Sequence, residues 1–182
     1  MSAITHYSVL PIPPVTAHTR WFEAGAVRVG VEYRLLDDAI AAAHMSVVDG
    51  GEKYAQAEGL ADSGVSLHVF AEQDGEWREF LRFDCFGEDP HYHYISSRDR
   101  MNDMVHVDPI ADGDALAWAL ERIRTRLPQM LARAGAPEVA RRLDAAALEA
   151  ALPRVAEAAY RARYEHDDAA VHAAALQARA TQ

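Results

Sequence analysis

Residues 65–107 read VSLHVFAEQDGEWREFLRFDCFGEDPHYHYISSRDRMNDMVHV, and the fold class turns on them. Apolar and polar side chains alternate in short runs, broken by Asp74-Gly75-Glu76, by Gly87 to Pro90 and by the polar loop Ser96 to Asp103. Alternation with a period of two marks strands buried on one face, and short turns between them mark antiparallel neighbours. The spacing predicts strands over 65–73, 77–86, 91–95 and 104–107, following one another as a meander.

Upstream, Val27, Val29, Val31, Tyr33 and Leu35 alternate with Arg28, Gly30, Glu32 and Arg34, which adds a fifth strand. A short helix is expected over Asp38 to Met45, followed by an irregular connection through Gly50, Gly51 and Gly59. Pro11, Pro13 and Pro14 bias the first 20 residues toward an extended arm on the surface. Downstream of Asp108-Pro109 the period becomes helical. Leu116, Leu120, Ile123, Leu127 and Leu131 form one stripe, with Asp112 or Asp114 as cap, Gly135 as stop and a kink expected at Pro128. Pro137 restarts a helix, and Asp144 caps a further one that Pro153 is expected to interrupt. Beyond about residue 155 the stripe is mostly alanine, which buries little area per turn. That helix lies flat on the domain, pairs with another subunit, or frays.

These elements predict an α+β protein: an antiparallel meander of about four to five strands, packed on one face by C-terminal helices. One domain is expected, with an extended arm (1–20), a sheet and first long helix (21–135), and a helical extension (136–182). A formal charge of −10 repels phosphate backbones and anionic lipid, so neither nucleic acid nor membrane is expected as a partner. A single cysteine, Cys85, forms no internal disulfide and fits a reducing cytoplasm.

Turn length decides which residues stand opposite one another, and opposite residues point the same way. A symmetric loop at 96–103 sets His93 against His106 and His91 against Asp108. A turn at 87–90 sets Asp84 against His93. Keeping Val65, Leu67 and Val69 on the apolar face requires a three-residue turn at Asp74 to Glu76, or a bulge. The apolar face then holds Leu81, Phe83, Cys85, Tyr92 and Tyr94, where the thiol packs as a small hydrophobe. The other face holds Ser66, His68, Phe70, Arg78, Phe80, Arg82, Asp84, Phe86, His91, His93, Met104, His106 and Asp108. So many apolar groups among polar ones imply a cover, whether a helix, a subunit or the arm, and a ligand pocket.

Two chemistries fit that second face. His91 and His93, about 6.6–6.8 Å apart along a strand, can lean toward one divalent metal such as zinc, with His106 as a third ligand and Asp84 or Asp108 as an oxygen donor. Without metal, Asp84 and His93 form an acid–base pair, with Arg82 holding an anionic substrate and His68, Phe80 and Phe86 lining the pocket. The same groups also make a plain cross-strand salt-bridge ladder. The expected function is small-molecule binding with hydrolytic or proton-transfer chemistry. The alternative is a non-catalytic accessory subunit, homo-oligomeric and foremost a dimer.

The run Arg82-Phe83-Asp84-Cys85-Phe86 followed by Pro90-His91-Tyr92-His93-Tyr94 resembles a motif of small uncharacterised bacterial proteins, over about residues 65–130. The resemblance implies no substrate.

Overall fold

The computed structural model describes residues 4–54 and 58–180, apart from the side chain of Glu52. Residues 55–57, within the connection expected to be irregular, lie outside the described residues. Its strands are β1 (Ile4–Tyr7), β2 (Arg20–Ala24), β3 (Val27–Asp37), β4 (Ala61–Gln73), β5 (Glu76–Phe86), β6 (His91–Ser96) and β7 (Met101–His106). They form one antiparallel sheet of seven strands in the order β1-β7-β6-β5-β4-β3-β2. The two strands beyond the expected five come from the arm and from Arg20–Ala24, which pair with the sheet's outer members. Both are short, so their alternation is brief.

The helices are α1 (Asp38–Met45), α2 (Ala115–Arg133), α3 (Pro137–Arg141), α4 (Ala145–Tyr164) and α5 (Asp168–Ala180). Asp37, Asp114 and Asp144 each accept a backbone N–H three residues on, the N-cap bond that starts α1, α2 and α4. Gly135 closes α2 with φ +87°, a conformation that costs glycine little. Both α2 and α4 run through their prolines, Pro128 and Pro153. The expected interruption at Pro153 is therefore absent. Proline removes one backbone bond there, but Ala151, Leu152 and Val155 are buried on the core and hold the helix across it.

The apolar sheet face, the first face below, packs under α2 and α4. Leu67, Leu81 and Phe83 meet Ile123, Leu127 and Val155 in the main core. The second face is covered as well. The chain after β1 crosses it, Pro13 accepts a bond from Arg179 near the end of α5, and α5 packs on α1 and β3. The alanine-rich C-terminal helix thus docks on its own chain.

Register departs from expectation without changing faces. Asp84 pairs with His91 and Arg82 with His93, while His91 pairs with His106 and His93 with Met104. Each hairpin is shifted by two residues, and a shift by the side-chain period leaves every residue on its predicted face. Between β4 and β5 the turn is the two-residue Asp74-Gly75, with φ of +57° and +80°, as a type I′ turn requires. The extra residue is taken up as a bulge: pairing passes from Val69 with Leu81 to Phe70 with Glu79, leaving Phe80 between. That bulge turns Phe80 into the core cluster, 3 % exposed, so its expected place on the pocket face is corrected.

Candidate functional site

Among the pockets on the second face, one encloses about 550 Å³ and is lined by Asp84, His91, His93, Arg34, Arg82, Asn102 and the apolar side chains of the arm, α1, β5 and β7. Strands β5 and β6 bring the first three together. Paired positions Asp84 and His91 point the same way, and His93, two residues on, does too. Each of these donors is then oriented by a further bond.

Asp62 accepts the backbone N–H groups of Gly87, Glu88 and Asp89 and so fixes the turn before β6. The Asp89 carbonyl oxygen accepts Nδ1–H of His91 at 2.7 Å. Asn102 donates Nδ2–H to the Val9 carbonyl at 3.1 Å, which leaves its Oδ1 to accept Nδ1–H of His93 at 2.7 Å. Ser66 donates its hydroxyl to Oδ1 of Asp84. Both Nδ1 atoms being committed as donors, both imidazoles turn Nε2 toward Asp84 Oδ2, at 3.4 Å from His91 and 3.3 Å from His93. These separations exceed the roughly 2.7–2.9 Å of a charge-assisted hydrogen bond. They match the edge of a metal tetrahedron, where bonds of about 2.0–2.2 Å set neighbouring donors about 3.3–3.6 Å apart. The three donor atoms lie within 4.8 Å of one another.

Electrostatics sharpens the picture. Burial would raise the Asp84 carboxyl, yet the interactions with His91 and His93 and the Arg82 charge hold it well below the ordinary carboxylate range. Burial lowers His93, and the positive charges of His91 and Arg82 act in the same direction, so its net shift is downward despite Asp84. Burial also opposes charge on His91, but there Asp84 and the Asp89 carbonyl prevail and the shift is upward. One carboxylate thus serves two imidazoles unequally, leaving His93 as the ring that keeps its lone pair most readily.

The remaining expected residues distribute differently. His106 pairs with Asp89 at 2.6 Å and stands outside the three-donor cluster. Asp108 accepts the N–H groups of Ile110 and Ala111 in the loop after β7, which places it in a turn and outside the three-donor cluster. Of the two candidate oxygen donors, Asp84 is the one that lies beside His91 and His93. Phe86 lines the pocket, edge-on to the His91 ring. His68 is fully buried between Glu79 at 2.7 Å and Glu32 at 3.1 Å, away from the pocket wall. Arg82 lines the pocket but is 2 % exposed, and its guanidinium is engaged by both oxygens of Glu79 and by the Ile12 carbonyl. Both side chains are thus engaged within the protein, Arg82 on the pocket lining and His68 behind it. Cys85 sits on the first face, where burial first and the Asp84 charge second push its thiol upward, the opposite of what a nucleophile needs.

Sequence reasoning missed Asn102, which lay inside a presumed loop, and Asp89, which lay in a turn. It also missed Arg34, although alternation along Val27 to Leu35 puts Arg34 on the same face as His68 and Asp84. A sequence-family profile described as Domain of unknown function (DUF7700) matches residues 21–159, from β2 into α4. Comparison with curated proteins and with solved structures finds no match.

Proposed function

We propose that this chain, which belongs to the DUF7700 family of unknown function, holds a divalent first-row metal ion on Asp84, His91 and His93 and binds a small molecule in the pocket beside it. The observation that carries this reading is the pair of Nε2–Oδ2 separations, 3.4 and 3.3 Å, between rings whose other nitrogens are already donors. Two Nε2 atoms aimed at one carboxylate oxygen call for positive charge between them; a proton on His91 supplies part of it, and a metal ion displacing that proton meets the need at all three atoms with the outer bonds already made. Two imidazoles and one carboxylate suit zinc, and the same set suits iron(II).

Three protein donors leave a coordination position for water or substrate, the arrangement of catalytic rather than structural sites. An ion held there supplies Lewis acidity to a substrate oxygen or activates water for hydrolysis or proton transfer. This chain's own residues would orient the ligands through Ser66, Asp89 and Asn102 and shield the site with the apolar wall.

The test is elemental analysis of protein purified without a histidine tag, followed by calorimetric titration with Zn²⁺ of the wild type and of His93→Ala and Asp84→Asn. One equivalent bound by the wild type and a weakened site in both variants supports the reading. A wild type that binds no stoichiometric metal defeats it, and a non-catalytic assembly role then becomes the better account.

A further inference from the structure

We infer that the molecule taken by this pocket is a mostly apolar carboxylic acid whose carboxylate is received by Arg34, the one pocket-lining guanidinium with a buried, unpartnered nitrogen. The inference rests on the pocket being a ligand site, as proposed above, and adds the class of ligand and the residue that selects it.

On the second face three acids are each held by specific partners. Glu79 is taken by Arg82 through two bonds and by His68 through a third. Glu32 is taken by His68 and by the backbone N–H of Val15. Asp84 is taken by Ser66 and faced by the two imidazoles. Arg34 is left with the Ile12 carbonyl at 2.9 Å on Nη2 and with Glu32 only at 3.7 Å from Nε. Its Nη1 is buried with no hydrogen-bond partner. A buried cationic donor without an acceptor is an unfavourable arrangement that native proteins resolve with a ligand, an ion or water.

Charge points the same way. Burial lowers the Arg34 pKa, and the neighbouring Arg82 charge lowers it further, against the pull of the acids around it. The pull of Glu32, Asp84 and Glu79 does not offset those two effects. The metal proposed above would add positive charge to the same wall.

Shape and wall composition set the rest of the ligand. Val9, Leu36, Met45, Leu60, Phe86 and Met104 supply an apolar lining, and 550 Å³ is the size of a small-molecule pocket. A phosphate would want several convergent donors, whereas among the described pocket-lining residues Arg34 alone offers a buried nitrogen without a partner, and Lys53 on the same lining is exposed to water. A single carboxylate on an apolar body matches one buried donor and an apolar wall.

The test uses full-length protein, metal-free and zinc-loaded, titrated by calorimetry with octanoate and with octanamide, which share a chain and differ in charge. Octanoate binding at least about tenfold tighter than octanamide, in both forms, is expected. Arg34→Gln should erase that preference and Arg34→Lys should retain part of it, with circular dichroism checking that each variant folds. Failure of octanoate to bind either form, or equal binding of the amide, overturns the inference while leaving the zinc titration to judge the metal on its own. Preference seen only in the zinc-loaded form, and unchanged in Arg34→Gln, assigns the carboxylate to the metal and also overturns it. Should both variants fail to fold, the acid-to-amide ratio of the metal-free wild type decides: a ratio near one overturns the inference. Octanoate binding without zinc binding upholds it and removes the metal.

Discussion

Asn102 shows how much of the site rests on residues that touch no ligand. Its amide is fixed at one end by the Val9 carbonyl and at the other by His93 Nδ1–H, so it sets which nitrogen of His93 carries the proton and where Nε2 points. Asn102→Leu is therefore expected to weaken Zn²⁺ binding by about 10–100-fold while leaving all three ligands in place. Asn102→Asp keeps an acceptor for the ring and should recover most of the loss; competition against a zinc chelator measures both. A recovery no better than that of leucine would mean that Asn102 serves packing alone. That Asp84, His91 and His93 share a face was legible, because alternation fixes which side of each strand a residue takes. Asn102 was not, since deciding whether a polar run such as Ser96 to Asp103 is loop or strand depends on its partner strand, which local composition does not reveal.

The strands β3, β4 and β5 carry a second lesson, since their second face is a ladder of buried charge: Glu32, His68, Glu79 and Arg82 stand in linked pairs across three strands. Burial alone would raise the Glu79 carboxyl, but the Arg82 charge and then His68 hold it at about 2 against an ordinary 4.5. A carboxyl with a lowered folded pKa contributes stability that is complete above its unfolded pKa and is lost as pH falls through the folded one. The unfolding free energy, read from urea titrations, should thus decline between pH 4.5 and about 2, by roughly 3 kcal/mol from this group. Glu79→Gln should be less stable at neutral pH and flatter across that window; an unchanged slope would refute the assignment. Where β4 and β5 approach, Gly64 leaves no room for a side chain, because a Cβ would overlap the Cys85 carbonyl oxygen and stand 2.8 Å from Phe86 Cα. Gly64→Ala is expected to cost about 1–3 kcal/mol in the same measurement, and a neutral result would show that the strands can part without cost. The faces of β5, β6 and β7 were readable through a two-residue register shift, as any even shift preserves them. Phe80 was not readable, because a bulge changes parity after it, and the choice between a bulge and a longer turn is made by the positive φ of Asp74 and Gly75.

Across the whole molecule, the N-terminal segment decides whether the second face is a site or merely a wet surface. Prolines at 11, 13 and 14 signalled an extended arm, but no local pattern said that the arm would add β1 to the sheet edge and then cross the face. Its backbone supplies the missing partners of side chains far away in sequence: the Val9 carbonyl to Asn102, the Ile12 carbonyl to Arg34 and Arg82, and the Val15 N–H to Glu32. Val9 to Ile12 also wall the pocket. Deleting residues 1–15 would return those groups to water and open the wall, so two losses should appear together. Thermal unfolding should move to lower temperature, since bonds to charged groups contribute about 1.5–3 kcal/mol each. Zn²⁺ affinity should also fall, because Asn102 loses the bond that fixes its amide. A truncated chain that melts early yet binds Zn²⁺ as tightly as the full chain would show that His93 is oriented without the arm. If both properties fall, the arm that walls the pocket is the same element that, through Asn102, orients His93.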